Sequence, residues 1–318
     1  MKKLLVGLVT AATLASTSSF AKEAEKNTCV PLKDFTVEKA KDLLKEYLKG
    51  GVKIIGTGKS PVKSLYEVDV DVNGRRFPVY VDCGLKYLVM GSIIDISSKK
   101  NLTKERGEAL TQQAIEERKK EIAKYIGEEK VEKLKKVLGP RFQEVKVADL
   151  KALPETKEGM VVLGNPKGKT TIYVVDDPEC PFCAKLDAEL KKLLEKRKDL
   201  KVEVILFPLD FHKHAAGISA NIVCANDNKK KAEILEKSFE AVRNRNISKL
   251  SDLELKEKCK DKDVNEILRQ NFMFARSVGV SGTPTLIFPG GIVISGYMSA
   301  DQLEKILDAL TSDNKSKK

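Results

Sequence analysis

The chain has 318 residues, 42% of them hydrophobic, which excludes a disordered protein and predicts two globular units with connecting segments. Its formal net charge is +12, yet lysine and arginine are interleaved with glutamate, as in EERKKE, and no aromatic side chains punctuate the basic runs. We therefore expect solvated, charged helix faces and exclude a nucleic-acid-binding surface.

The first 21 residues have the layout of a secretory signal peptide. Lys2 and Lys3 precede an apolar stretch from Leu4 to Leu14, and small residues lead to a cleavage site after Ala21. That stretch has about half of the roughly 20 apolar residues that a membrane anchor needs. We predict export to the periplasm, and we expect no later segment to span a bilayer.

Residues 22–102 are predicted to form a small α+β domain with one helix on an antiparallel sheet. Thr36 is a suitable cap for the helix VEKAKDLLKEYL, and a Gly-Gly pair ends it. The segment YEVDVDV alternates valine with Asp69 and Asp71, the pattern of a half-buried strand, and an Asn-Gly pair favours a tight turn after it. A domain this small buries little surface, so we expect a partner chain to help it.

Residues 103–154 are predicted to form a helical linker, a charged spacer between two domains. Isoleucine and leucine recur there at helical spacing, Gly127 is a break, and Gly139-Pro140 interrupts the pattern. Turn-rich sequence follows, so a second domain is expected to begin at residue 155.

The elements over 155–312 are predicted in the order strand, helix, strand, a long helical region, two short strands and a last helix. The first strand is TTIYVVDD, and the helical region covers about 213–276. Ser299 and Gln302 form a capping box for the last helix, and 313–318 is expected to be a disordered tail. A βαβ half, a helical insertion and a ββα half follow the order of a thioredoxin fold, so we predict an α+β protein with a thioredoxin-like C-terminal domain.

The motif Cys180-Pro181-Phe182-Cys183 stands between that first strand and the helix after it. At a helix start, unpaired backbone N–H groups and the positive end of the helix dipole favour a thiolate at Cys180. Pro181 suits the first turn, where its missing N–H has no partner to lose. Cys183 lies one turn later on the same face, where it can attack a sulfur bonded to Cys180. The spacing predicts a redox-active dithiol.

Two other interpretations of this Cys-x-x-Cys pair are weaker. A zinc site needs four ligands, but the sequence has no second such pair, and His212 and His214 lack a matching spacing. A purely structural bridge would close too small a loop to stabilise the fold much. We therefore predict no metal and no cofactor, and we interpret the two histidines as the polar start of the helical region.

A lowered pKa at Cys180 would improve it mainly as a leaving group. A thiol of pKa about 8.5 is about 3% ionised at pH 7, so full ionisation gains about 30-fold. A pKa lower by about three units loses about as much intrinsic nucleophilicity, because the Brønsted slope is about 0.5. The remaining advantage is that a stabilised thiolate leaves mixed disulfides easily, so substrates are not trapped.

Together with Thr283-Pro284 in GVSGTPTLIF, the Cys180 and Cys183 motif resembles that of the periplasmic DsbC/DsbG family of thiol-disulfide interchange proteins. The preceding α+β unit with its helical linker shares the resemblance, which extends over nearly all of the mature chain. It implies that Pro284 is cis and faces the cysteines. It also implies that the backbone of Thr283 pairs with an extended substrate strand, a short β-augmentation.

The same resemblance implies roles for other parts of the chain. Pro181 and Phe182 are assigned to substrate binding, and 22–102 to a cystatin-like dimerisation domain whose sheet edges pair two protomers. Mis-oxidised exported proteins are the implied substrates, and a membrane thiol reductase of the DsbD type would keep the dithiol reduced.

Six cysteines in an exported chain favour disulfides, because the bacterial periplasm is oxidising. Sequence order suggests Cys29 with Cys83 and Cys224 with Cys259, although six cysteines formally allow fifteen connectivities. The family carries a structural pair in the helical insertion, which implies a bridge between Cys224 and Cys259. For Cys29 and Cys83, where the family commonly lacks cysteines, we predict a bridge to the sheet, with an intersubunit bond or a second redox site as alternatives.

Acidic residues near the dithiol depart from the thioredoxin pattern, in which a buried carboxylate lies six residues before the first cysteine. Val174 occupies that position here. Asp177 and Glu179 are closer to Cys180 and could tune its pKa, but we assign neither a catalytic role.

The sequence therefore predicts a periplasmic disulfide isomerase or reductase that rearranges incorrect disulfides through Cys180 and Cys183, with chaperone activity in the cleft of a homodimer. The alternatives are a sulfenic-acid reductase or a thiol oxidase with the same site, and a non-enzymatic holdase chaperone whose cysteines are structural.

Overall fold

The computed structural model describes residues 29–48, 52–72, 74–257 and 259–312, and it has the α+β architecture that the sequence predicts. The signal peptide predicted over 1–21 and the tail predicted over 313–318 lie outside the described residues. The chain divides into two compact units, the first reaching Gly107 and the second starting at Glu108, with 74–75 assigned to the second. No helix in these described ranges is both long enough and apolar enough to cross a membrane.

The first unit is one helix packed on an antiparallel sheet whose strands follow one another in chain order. Thr36 caps the helix by accepting a hydrogen bond from the backbone N–H of Lys39 at 3.3 Å. The elements of this unit are α1 (Val37–Leu44), β1 (Val52–Lys59), β2 (Leu65–Val72), β3 (Arg75–Asp82) and β4 (Leu88–Val89), with a separate ribbon of β5 (Ile94–Asp95) and β6 (Lys100–Asn101).

Both faces of β2 are buried, whereas the alternation of valine and aspartate predicts one exposed face. Val68 and Val70 lie in the core that α1 covers. On the opposite face the guanidinium of Arg106 donates to Glu67 at 2.7 Å and to Asp69 at 2.6 Å. The ion pairs explain how two acidic side chains are tolerated inside this unit, because a buried carboxylate needs a compensating charge or hydrogen bonds.

The second unit is built on a mixed sheet with the strand order β7-β12-β11-β9-β10-β8. Strands β9 and β10 are parallel, and the other neighbours pair in antiparallel fashion. The strands are β7 (Lys146–Val147), β8 (Met160–Gly164), β9 (Thr170–Asp176), β10 (Leu200–Leu206), β11 (Thr285–Phe288) and β12 (Ile292–Ser295). The order β9, helix, β10 and then β11, β12, helix confirms the predicted thioredoxin-like domain.

The helices of the second unit surround this sheet and form the insertion between β10 and β11. They are α2 (Leu102–Ile126), which begins in the first unit, α3 (Glu128–Leu138), α4 (Pro181–Lys196), α5 (Ala215–Cys224), α6 (Asn228–Arg243), α7 (Val264–Ser277) and α8 (Ala300–Thr311). The capping box predicted at Ser299 and Gln302 is present at the start of α8.

Part of the predicted linker lies in the core of the second unit. Val131 and Leu134 of α3 are fully buried, as is Phe142 just after it, and all three belong to the same apolar cluster as Cys183. Strand β7 pairs with β12 at the edge of the sheet. From α3 to β7 the predicted linker therefore packs in the second unit instead of forming a free spacer.

The strand β8 lies in a stretch that looks turn-rich in the sequence. It pairs with β10 as an edge strand. On its open side, the Asn228 side chain accepts from the N–H of Val162 at 2.7 Å and donates to its carbonyl oxygen at 2.7 Å. One amide side chain thus satisfies both backbone groups of Val162 on the open edge of β8.

Candidate active site

Strand β9 delivers the Cys-x-x-Cys motif to the start of α4. The strand ends at Asp176, Cys180 is the N-cap of α4, and Pro181 is its first residue. The turn between them is closed by a hydrogen bond from the Cys180 N–H to the carbonyl oxygen of Asp177 at 3.1 Å. Cys180 therefore lies where a helix has N–H groups without intrahelical partners.

The two cysteines are free thiols with unequal exposure. Cys180 is 5% exposed and Cys183 is 0% exposed, while the neighbouring Phe182 is 57% exposed. The Cys180 thiol donates to the carbonyl oxygen of Thr283 at 3.6 Å, and the peptide bond between Thr283 and Pro284 is cis. The fold thus brings together two motifs that lie about a hundred residues apart in the sequence.

The site stabilises the ionised form of Cys180. A hydrogen bond from the Cys183 thiol is the main influence that lowers the pKa of Cys180 to about 6, and it outweighs burial, which acts in the opposite direction. The Thr283 side chain and the backbone N–H groups of Cys183 and Phe182 lower this pKa further. A thiol of pKa about 6 is about 90% thiolate at pH 7.

A buried carboxyl group, that of Asp176, contacts the thiol of Cys183. Burial raises the pKa of Asp176 well above its usual value, and the hydrogen bond with Cys183 offsets only part of this. Burial likewise raises the pKa of Cys183 well above its usual value, and Cys180 and Asp176 add to the effect. The site therefore combines an ionised sulfur with a protonated one that adjoins a carboxyl group.

Asp176 does not emerge from comparison with thioredoxins, whose carboxylate would fall at Val174. Side chains alternate along a strand, so Ile172, Val174 and Asp176 share one face of β9. Ile172 and Val174 pack in the same apolar cluster as Cys183. The alternation in TTIYVVDD would therefore have placed Asp176 on the face of the sheet that α4 covers.

Asp177 and Glu179, the acidic residues that precede Cys180 in the sequence, are directed toward the loop 209–214, which follows β10. Asp177 accepts from the Leu209 N–H at 2.7 Å and lies 3.0 Å from Nδ1 of His212. Glu179 accepts from the backbone N–H of His214 at 2.6 Å. The histidines are therefore at the start of the helical insertion, as predicted, and this loop is fastened to the segment before Cys180.

Two disulfides lie outside the dithiol, and the structure pairs them as sequence order suggests. Cys29 and Cys83 are joined within the first unit, where the Val30 N–H also donates to the Cys83 carbonyl oxygen at 2.8 Å. Cys224 and Cys259 are joined within the helical insertion, with their Cα atoms 5.8 Å apart. The first bridge ties the segment before α1 to the sheet.

A dithiol at the start of the helix that follows β9, close to the cis peptide bond before Pro284, defines the class of thioredoxin-like thiol-disulfide oxidoreductases. The chain matches a family model described as a thioredoxin-like domain over residues 160–311, and one described as a disulfide bond isomerase protein N-terminal domain over residues 18–104. These are the two domains of DsbC-type thiol-disulfide interchange proteins, and their order along the chain confirms the resemblance seen in the sequence.

Individual relatives are more distant. The thiol:disulfide interchange protein DsbC of Salmonella typhimurium is 26% identical over 160 residues, which are 50% of this chain and 59% of that protein. A periplasmic thioredoxin-like protein from Salmonella enterica serovar Typhimurium superposes with a TM-score of 0.42 and 24% identity, covering 51% of this chain and 95% of that one. The catalytic domain of Proteus mirabilis ScsC gives 0.42 and 21%, covering 56% and 99%.

Proposed function

We propose that this protein is an exported disulfide isomerase that also reduces disulfides, acting through Cys180 and Cys183 on incorrectly oxidised proteins. The observation that carries the proposal is the unequal pair of sulfurs, with the pKa of Cys180 lowered to about 6 and that of fully buried Cys183 raised. One sulfur is ready to attack, and the other is kept protonated until the first has captured a substrate. The match of residues 18–104 to a disulfide bond isomerase N-terminal domain supports action on proteins.

In the first step the Cys180 thiolate attacks one sulfur of a substrate disulfide. A bond forms between that sulfur and Cys180, the substrate S–S bond breaks, and the second substrate sulfur leaves as a thiolate. No electrons are lost or gained overall. The product is a mixed disulfide with one free thiolate on the substrate.

The mixed disulfide then has two outcomes. In isomerisation, the freed substrate thiolate attacks another disulfide of its own chain, and a substrate thiolate finally displaces Cys180, which leaves readily because its pKa is low. In reduction, the Cys183 sulfur displaces the substrate, so that a Cys180–Cys183 disulfide forms and the substrate has gained two electrons. An external thiol donor must then restore the dithiol.

Asp176 is the proton acceptor that we assign to the reductive branch. The Cys183 thiol cannot attack until it loses its proton, and its raised pKa makes spontaneous loss slow at neutral pH. Asp176 contacts that thiol, and burial raises the pKa of its carboxyl group well above the usual value, which makes its carboxylate form a stronger base than that of an exposed aspartate. The proton returns to Cys183 when a donor re-reduces the disulfide.

Substrate recognition is assigned to Thr283, Pro284 and the residues between the cysteines. The proximity of Cys180 to the Thr283 carbonyl supports pairing of the Thr283 backbone with an extended substrate strand. Such pairing uses hydrogen bonds to the substrate main chain and contacts few of its side chains. Phe182, which is 57% exposed, offers an apolar contact beside the sulfur, and Pro181 fixes the start of the helix under it.

The first domain and the N-terminus support a proposal for the assembly and location of the protein. The match to a disulfide bond isomerase N-terminal domain supports a homodimer in which these domains pair, leaving two sites to face one substrate and to shield non-native chains. The signal-like N-terminus supports export to the periplasm. A membrane thiol reductase of the DsbD type is the proposed source of electrons.

Refolding of a scrambled protein with several non-native disulfides tests this function. We expect the reduced wild-type protein to restore native pairing, Cys180→Ala to abolish the activity, and Cys183→Ala to accumulate mixed disulfides. Equal recovery with Cys180→Ala would show a holdase instead. Activity on fully reduced chains alone would show an oxidase.

A further inference from the structure

The segment that leads into Cys180 is held from outside by the loop 209–214. Asp177 is 0% exposed, and its carboxylate oxygens have three partners. Oδ1 accepts from the Glu179 N–H at 2.7 Å, while Oδ2 accepts from the Leu209 N–H at 2.7 Å and adjoins Nδ1 of His212 at 3.0 Å. A carboxylate so deeply buried is stable only while such donors remain in place.

Asp177 thereby links two parts of the site. Its first oxygen shapes the turn through Glu179, and its own carbonyl oxygen accepts the Cys180 N–H at 3.1 Å, so the turn fixes where the N-cap of α4 begins. Its second oxygen is occupied by the loop. Any loosening on the loop side is therefore transmitted to the backbone that positions Cys180.

His212 is the member of this set that a substitution can remove, because the other two donors are backbone N–H groups. Its side chain is 16% exposed, and its ring lies edge-on to that of Phe211 with the centroids 4.6 Å apart. These contacts orient Nδ1 toward Asp177. The next histidine, His214, has a different partner, since its Nδ1 lies 2.5 Å from Glu254.

We propose that His212 and Asp177 form a positioning pair that holds Cys180 in the geometry needed for a reactive thiolate. The inference rests on the proposed function and adds residues that touch no reacting atom. The low pKa of Cys180 depends partly on the N–H groups of Phe182 and Cys183 aiming at its sulfur, and that aim requires a fixed N-cap. Among ionisable side chains, Cys183 adjoins Cys180, Asp176 adjoins Cys183, and Asp177 faces His212.

The test compares three variants of the full-length reduced protein. His212→Ala removes the donor, and His212→Asn keeps an N–H near the place of Nδ1 without the charge of a protonated ring. His214→Ala is the matched control, because it alters the same loop but keeps the backbone bond to Glu179. The measurement is the alkylation rate of Cys180 by iodoacetamide as a function of pH, with thermal unfolding recorded in parallel.

We expect His212→Ala to raise the pKa of Cys180 by about one unit, which makes alkylation at pH 6 about fivefold slower. His212→Asn and His214→Ala should keep the wild-type profile. A His212→Ala variant that folds and keeps the wild-type pKa would overturn the proposal, as would an equal rise in His212→Asn, which would indicate charge instead of positioning. If the alanine variant does not fold, His212→Phe keeps the ring without its donor and is held to the same result.

These outcomes are separate from those of the proposed function. A wild-type protein that fails to rescue scrambled disulfides would refute the isomerase, whereas the difference in Cys180 pKa between the variants would still decide whether His212 positions the sulfur.

Discussion

Cys180, Cys183 and Asp176 show how one buried cluster shifts the pKa values of neighbouring groups in opposite directions. Burial raises the pKa of all three groups, yet Cys180 ends at about 6 because the Cys183 thiol and the donors at the helix start stabilise its thiolate. Cys183 and Asp176 receive no comparable compensation, and the pKa of each stays raised. The difference between the two sulfurs is therefore a property of their place in the turn.

Replacing the carboxyl group of Asp176 should slow resolution of the mixed disulfide without disabling the first attack. In Asp176→Asn, Cys183 has no acceptor for its proton, so we expect the rate at which it displaces a substrate sulfur from Cys180 to fall by on the order of 100-fold. The asparagine oxygen can still accept the Asp177 N–H, a bond of 3.0 Å in the wild type.

Release of an aromatic thiol from a preformed mixed disulfide with Cys180 measures this step directly. Cys183→Ala is the control that should release no thiol by the internal route. Release from Asp176→Asn at the wild-type rate would remove Asp176 from the mechanism.

At the scale of residues, the dithiol and the Thr283-Pro284 segment could be read from the sequence because each is a compact motif with a known chemical use. Asp176 could not, since its role depends on which face of β9 meets α4. The partners of Asp177 were also hidden, because a bond between positions 177 and 212 depends on the path of the loop after β10. Such contacts follow from tertiary packing and leave no local signature.

At the scale of elements, α3 departs most from its predicted role. Its apolar positions repeat at helical spacing, which predicts an amphipathic helix but does not say what covers the apolar face. The structure shows that face packed on α8 and in the core of the second unit. The edge strand β8 was hidden for a related reason, because its stability comes from pairing with β10 and from Asn228.

Leu134→Ala should therefore destabilise the second unit. Leu134 is 0% exposed, and removing a fully buried leucine side chain typically lowers the free energy of unfolding by about 2–5 kcal/mol. Lys136→Ala, on the exposed side of the same helix, should change it by less than about 0.5 kcal/mol. Chemical denaturation measures both, and equal stability of the two variants would mean that α3 is a detached spacer.

The bridge between Cys29 and Cys83 should stabilise the first unit without taking part in catalysis. It closes a loop with a sequence separation of 54, for which removal of a disulfide costs about 2–5 kcal/mol. The double variant Cys29→Ser/Cys83→Ser should unfold more easily while Cys180 keeps its alkylation profile. Loss of isomerase activity in a variant that remains folded would instead indicate a second redox site.

At the scale of the whole molecule, domain composition was predictable and assembly was inferred from it. The order of elements after residue 155 and the small α+β unit before it are confirmed as thioredoxin-like and DsbC-type domains. Light scattering of the mature protein should give twice the mass of one chain, because isomerisation of large substrates is proposed to use two facing sites. A monomer at micromolar concentration would contradict the proposed dimer.

The most direct test of the proposed mechanism is the pH profile of Cys180 alkylation in the reduced wild-type protein, with the modified cysteine assigned by mass spectrometry. The thiolate is the reacting form and its pKa is lowered to about 6, so the rate should be half-maximal near that pH, fall about tenfold per unit below it and stay level above neutrality. At pH 6, Cys180 should then react faster than the thiol of glutathione. A half-maximal rate near pH 9, or alkylation at pH 6 no faster than that of glutathione, would contradict a reactive Cys180 thiolate.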